Sequence, residues 1–135
     1  MDVSEEEAYL VVRLDPGDGV IASLKQLRND YDIDGAFFTG IGAVDRVKLG
    51  HYNVETEEYA EEELTGQFEV SNFTGNIGPD KIHAHITVGD EDYQAYAGHC
   101  AAAHVSGTFE LIVATTETAL SHRPDRTTGL DVFDL

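Results

Sequence analysis

Lys81-Ile82-His83-Ala84-His85-Ile86-Thr87-Val88 is the stretch on which the reading of this chain turns. It alternates and is rich in β-branched residues, which is the pattern of a strand, and residues i and i+2 of a strand project from one face. His83 and His85 therefore stand side by side. A third histidine follows at Gly98-His99. Brought back by the next turn, it completes three nitrogen ligands, the number that catalytic zinc sites use while leaving a fourth position open.

Outward from this strand the chain reads mostly as further strands. Ala8 to Leu14 is a buried-type strand ending at the turn Asp15-Pro16-Gly17. Val20, Leu24, Leu27 and Tyr31 then repeat at helical spacing through Ile21 to Asp30, with Asp18 as the predicted N-cap. Gly35 to Thr39 and Val44 to Val54 read as strands joined by Gly40-Ile41-Gly42. That Gly-X-Gly lacks the third glycine and the helix of a dinucleotide fingerprint, so a bulge or tight turn is the better reading. Glu58 to Glu62, Thr65 to Thr74, Tyr93 to Ala97 and Thr108 to Thr116 complete the pattern, with Asp90-Glu91-Asp92 as an acidic turn. Short connections imply antiparallel pairing. The expected fold class is α+β: a strongly curved, mostly antiparallel sheet of about seven strands with one main helix packed against it.

With 135 residues the chain is long enough for one sizeable core and too short for two, so residues 1–135 are expected to form a single domain. No apolar run reaches the roughly 18 to 20 residues that span a bilayer. The acidic start Met1 to Glu7 is the opposite of a basic signal segment, and a cytoplasmic location is expected. A single cysteine, Cys100, excludes an internal disulfide and fits a reducing compartment. It neighbours His99, so its part in a metal site stays open, beside the commoner reading of a small core residue.

Charge is the second informative feature. The chain has 26 Asp plus Glu against 8 Lys plus Arg, a formal net of −18, and only Lys25, Lys48 and Lys81 are lysines. The acids are spread over the loops instead of gathered in one tail, which reads as adaptation to concentrated salt that screens self-repulsion. Phosphate binding is driven by Lys and Arg releasing counterions, and there is no basic cluster here. Strong direct binding of nucleic acid by this chain is not expected.

Several segments together resemble a known family. Leu14-Asp15-Pro16-Gly17-Asp18-Gly19-Val20-Ile21 precedes a helix and Gly40-Ile41-Gly42-Ala43-Val44 precedes a strand. Phe68 to Asn76, Ile82 to Asp90 and Ala97-Gly98-His99-Cys100 follow in order. In spacing and strand order these are similar to the plants and prokaryotes conserved domain, the PPC domain, over about residues 8 to 133. The ending Arg123 to Leu130 resembles prokaryotic, stand-alone members, and with the charge it points to a halophilic archaeon. The resemblance implies an α+β domain assembling as a homotrimer, with zinc or a similar divalent ion on His83, His85 and His99. Ala97-Gly98-His99-Cys100 stands where many members have Gly-Gly-His-Leu. The Arg-Gly-Arg-Pro AT-hooks by which plant members enter the minor groove are absent, so the family's description as DNA-binding and regulatory rests on a segment this chain lacks.

The other histidines have blander readings. His51, His104 and His122 are taken as structural residues, with His104 in reserve as a support for the site. Two functions stay open. One is a trimeric metal-binding regulatory or assembly module, reaching DNA, if at all, through protein partners. The other is a small hydrolase-like metalloenzyme using a metal-activated water, with no catalytic residue or substrate assignable. A deep pocket at the histidines would favour the enzyme, and a metal closed into an interface would favour the module.

Overall fold

A computed structural model describes residues 1–135 as eight strands and one helix. In chain order these are β1 (Asp2–Glu5), β2 (Tyr9–Leu14), α1 (Val20–Asp30), β3 (Ala36–Asn53), β4 (Glu58–Ile77), β5 (Ile82–Gly89), β6 (Ala95–Thr115), β7 (His122–Pro124) and β8 (Asp131–Phe133). All pairings are antiparallel, as short connections require. Six strands form one sheet in the order β1-β2-β6-β3-β4-β5, and β5 also pairs with the start of β6, so the sheet curls until it meets itself. Strands β7 and β8 form a separate hairpin.

Three strands are longer than the sequence pattern predicts. Gly35 to Thr39 and Val44 to Val54 fuse into β3, Glu58 to Glu62 and Thr65 to Thr74 into β4, and Tyr93 to Ala97 and Thr108 to Thr116 into β6. Glycines and small residues mark the apparent breaks in β3 and β6, but pairing on both sides of those strands carries the backbone through them. The Gly-X-Gly is a bulge, with register slipping between Gly40 and Gly42 against β4. A Cβ at Gly42 would run into the Thr108 carbonyl and Phe109 of β6, so this close approach is what needs glycine.

The core is one cluster of 24 buried residues. Alternation in β2 sends Leu10, Val12 and Leu14 inward, and Phe38, Phe73 and Phe109 meet inside the curled sheet. The Phe73 ring lies 5.0 Å from Phe38 and 5.3 Å from Phe109 between centroids. Val20, Leu24 and Leu27 form the buried stripe of α1, which packs on β6 and β5. The helix is capped at Gly19, not Asp18, and without a side-chain bond. The Asp18 carboxylate instead accepts the Asp15 N–H at 3.0 Å and pairs with the N-terminal ammonium at 3.3 Å, which draws it away from the helix end. No helix is long and apolar enough to cross a membrane.

Candidate metal centre

Position along β5 decides which side chains reach the site. Ala84, Ile86 and Val88 face the core, which turns His83, His85 and Thr87 to the opposite face. Strand β6 pairs beside β5 with His85 opposite His99. The turn Gly89 to Gln94 that makes this possible is held by Asp90, whose Oδ1 accepts the N–H groups of Asp92 and Gln94 at 3.0 and 2.8 Å.

The three imidazoles thereby converge. Their ring centroids are 5.2 Å apart for His83 and His85, 5.3 Å for His83 and His99, and 5.7 Å for His85 and His99. One ring nitrogen from each lies within 4.8 Å of the others. His83 and His99 are half-buried and His85 is exposed. Burial, then the neighbouring imidazoles of His99 and His85, then Lys81, push His83 down to about 4. Burial also lowers His99, followed by His85 and Lys81. Imidazoles kept neutral are the form that binds metal.

The donors suit a zinc-type ion in number and kind. Asn76, the β4 residue opposite His83, has a buried Oδ1 without a hydrogen-bond partner. An acceptor of that kind is what the second ring N–H of a ligating imidazole calls for.

A cavity of about 680 Å³ opens at the histidines. The β3–β4 hairpin gives His51, Tyr52, Val54 and Tyr59 to its wall, and Leu130 and Asp131 come from the C-terminal end. That end is anchored by the Tyr52 hydroxyl donating to the Thr128 carbonyl at 3.1 Å and by Lys81 pairing with Asp131 at 3.2 Å. Tyr59 covers Gly50, where any Cβ would strike its hydroxyl, and its ring meets His99 edge-on at 6.3 Å. Its hydroxyl donates to Glu61 at 3.0 Å, and burial followed by that bond raises its pKa.

A match to the Plants and Prokaryotes Conserved (PCC) domain runs over residues 1–117. The chain belongs to the PCC-domain family. Among solved structures it is similar to a protein from Bacteroides thetaiotaomicron whose name proposes DNA binding, with TM-score 0.93, 28% identity, and coverage of 98% of this chain and 96% of that one. A metal-containing protein from Archaeoglobus fulgidus is similar at TM-score 0.85 and 27% identity, over 98% of this chain and 99% of that one. The bifunctional protein GlmU of Synechococcus sp. strain JA-2-3B'a(2-13) is 26% identical over 121 residues, 87% of this chain. The chain spans only 18% of the length of that relative.

Cys100, open in the sequence, faces the core instead. It is 3% exposed, and burial pushes its thiol up to about 12, so it is not among the converging groups. His104 lies opposite Arg46 on β3 and bridges Gly19, about 16 Å along β6 from His99 at the usual strand rise, which removes it as a support for the site. His51, read as structural, stands on the cavity wall. His122 is near enough for its charge to bear on His83. Lys81, Tyr59 and Asp131 were missed. Only Lys81 had a local signal, since two residues before His83 it shares that residue's face.

Gly75 holds the strand pair in place. A Cβ there would meet the His83 carbonyl, the Ala84 Cα and the Phe38 ring. Gly75→Val is expected to force β4 and β5 apart at a cost of about 1–3 kcal/mol. Its melting temperature should fall by about 5–10 °C, with reduced metal content by elemental analysis. An unchanged melting temperature would show that the strand pair tolerates the side chain.

Proposed function

We propose that this protein is a metal-binding, self-assembling PCC-domain protein in which His83, His85 and His99 hold one zinc-type divalent ion facing a small-molecule cavity. The observation that carries this is the convergence of three ring nitrogens within 4.8 Å on the wall of that cavity. The metal-containing relative from Archaeoglobus fulgidus supports it. When bound, the ion would supply Lewis acidity at an open coordination position. The protein's own groups favour the neutral form of His83 and His99, offer Asn76 as an orienting acceptor and wall the cavity with Tyr52, Val54, Ile82 and Leu130. Elemental analysis of the purified protein is expected to find about one divalent ion per chain. Less than a tenth of that after loading and desalting would overturn the reading.

The alternative, a small hydrolase-like metalloenzyme, is favoured by the openness of the histidines to a cavity. Against it, the two carboxylates nearest the histidines are already engaged. Asp131 is paired with Lys81, and Glu61 is held by Lys48 at 3.3 Å and by Tyr59.

The homotrimer belongs to the same proposal. On the outer face of the sheet, cross-strand pairing lines up Tyr9, Ala114 and Phe37 in one row and Val11, Ile112 and Thr39 in the next. Phe37 is 59% and Ile41 57% exposed on a chain of net charge −18. Apolar side chains clustered on so acidic a surface are best explained by association, and closed cyclic symmetry buries them without leaving open faces. A trimer carries three times the monomer's charge, so screening should govern it. Light scattering is expected to show trimer at molar salt and dissociation or unfolding at low salt, with Ile112→Asp blocking assembly throughout. A monomer at every salt concentration would refute the assembly, and a salt-indifferent trimer would refute the adaptation to high salt.

Direct DNA binding is not part of the proposed role. Duplex phosphates meet net repulsion at low salt, and at high salt the counterion-release term is lost. Fluorescence anisotropy with a random duplex at ~0.1 M salt should give a dissociation constant weaker than ~100 μM. Micromolar binding would contradict this.

A further inference from the structure

The histidine cavity differs in charge from the surface around it. Acids outnumber basic residues by 26 to 8 in this chain, and a second cavity of about 420 Å³ near the β5–β6 turn carries that excess, with Glu63, Asp90, Glu91 and Asp92 on its wall. The histidine cavity is lined by one acid, Asp131, and that carboxylate is already held by Lys81. One of the chain's three lysines thus stands on a wall that has a single acid. Lys81 is close enough for its charge to bear on His83, His99 and His122. The lining lysine and aspartate cancel, so a divalent ion would leave the lining with a formal surplus of two positive charges, offset in part by Glu61, whose charge reaches His99 from outside the wall. Val54, Ile82 and Leu130 add apolar surface to that wall.

Resting on the metal reading above, we infer that this cavity binds a small carboxylate with an apolar body, its anionic group lying between the histidine centre and Lys81. Its volume is in the range of small-molecule sites. A carboxylate fits better than a phosphate or sulfate because the protein offers one ammonium and no arginine fork. An apolar body fits because the remaining wall is aliphatic and aromatic. Asp131 occupies the Lys81 ammonium that the ligand's carboxylate would take, so binding exchanges one carboxylate for another on the same lysine. Asp131 belongs to β8, beyond the residues matched by the family, and Leu130 precedes it. The C-terminal segment thus completes the cavity whose other wall is the histidine strand.

Calorimetric titration of the zinc-loaded protein with benzoate, benzamide, acetate and sulfate at fixed ionic strength tests this, with zinc measured on the same samples. Benzoate is expected to bind at least tenfold more tightly than the other three. Lys81→Met should weaken benzoate at least tenfold, and Asp131→Asn, which frees Lys81, should tighten it about threefold or more. Both substitutions fall on a solvent-facing ion pair, and unchanged thermal melts will establish that the variants fold. Full zinc occupancy with benzoate no tighter than benzamide or sulfate would overturn the carboxylate assignment and leave the metal reading standing. So would benzoate affinity indifferent to Lys81→Met. Failure of the wild-type protein to retain zinc would overturn both.

Discussion

His83→Ala and His99→Ala are each expected to cut bound zinc from about one ion per chain to less than a tenth. Two imidazoles cannot hold a zinc-type ion as three do, and the converging group contains no spare donor, because Cys100 faces the core and His104 lies far along β6. His104→Ala should retain metal at the wild-type level, separating loss of a ligand from loss of any histidine. Unchanged metal in both ligand variants would end the three-histidine proposal. The pH dependence follows from burial. His83 titrates at about 4 in the folded chain against an ordinary 6.5, so the unfolded chain binds more protons between those values. The contribution to stability is therefore complete above pH 6.5 and is lost as pH falls toward 4. Metal should stay bound at neutral pH and leave in that same acid window, which elemental analysis after desalting at stepped pH will read.

Phe73→Ala is expected to destabilise the fold by about 3–5 kcal/mol, a large part of the ~5–15 kcal/mol available to a domain of this kind. Phe73 is 0% exposed, packs between Phe38 and Phe109, and pairs in register with Ile86 of the histidine strand. Removing it empties the centre of the curled sheet directly beneath β5. Urea melts at molar salt should show the midpoint falling by about 2 M. Phe37→Ala is the internal control. It is adjacent in sequence to buried Phe38 but faces outward, so with both truncations made in the Ile112→Asp background, where assembly cannot bury it, its loss should cost less than about 1 kcal/mol. Equal losses in the two variants would contradict the assignment of faces.

Local chemistry made much of this protein legible in its sequence. A period of two in Lys81 to Val88 fixed a strand and put His83 and His85 on one face, because successive side chains of an extended backbone point to opposite sides. A period near 3.6 in Val20, Leu24 and Leu27 fixed the one helix and its buried stripe. The charge of −18 needs only counting. What the sequence did not determine was how far strands run and which distant residues meet. Gly40-Ile41-Gly42 and Ala97 to Gly107 look like interruptions locally, yet they continue as strand because neighbours on both sides satisfy their backbone groups. The register of β5 against β6, which sets His99 opposite His85, depends on the Asp90 turn and on closure of the whole sheet. Asp131 meets Lys81 across 50 residues of chain, and Tyr59 reaches His99 only because the β3–β4 hairpin folds over Gly50. Such contacts are long-range consequences of closing one curled sheet, and no local pattern records them.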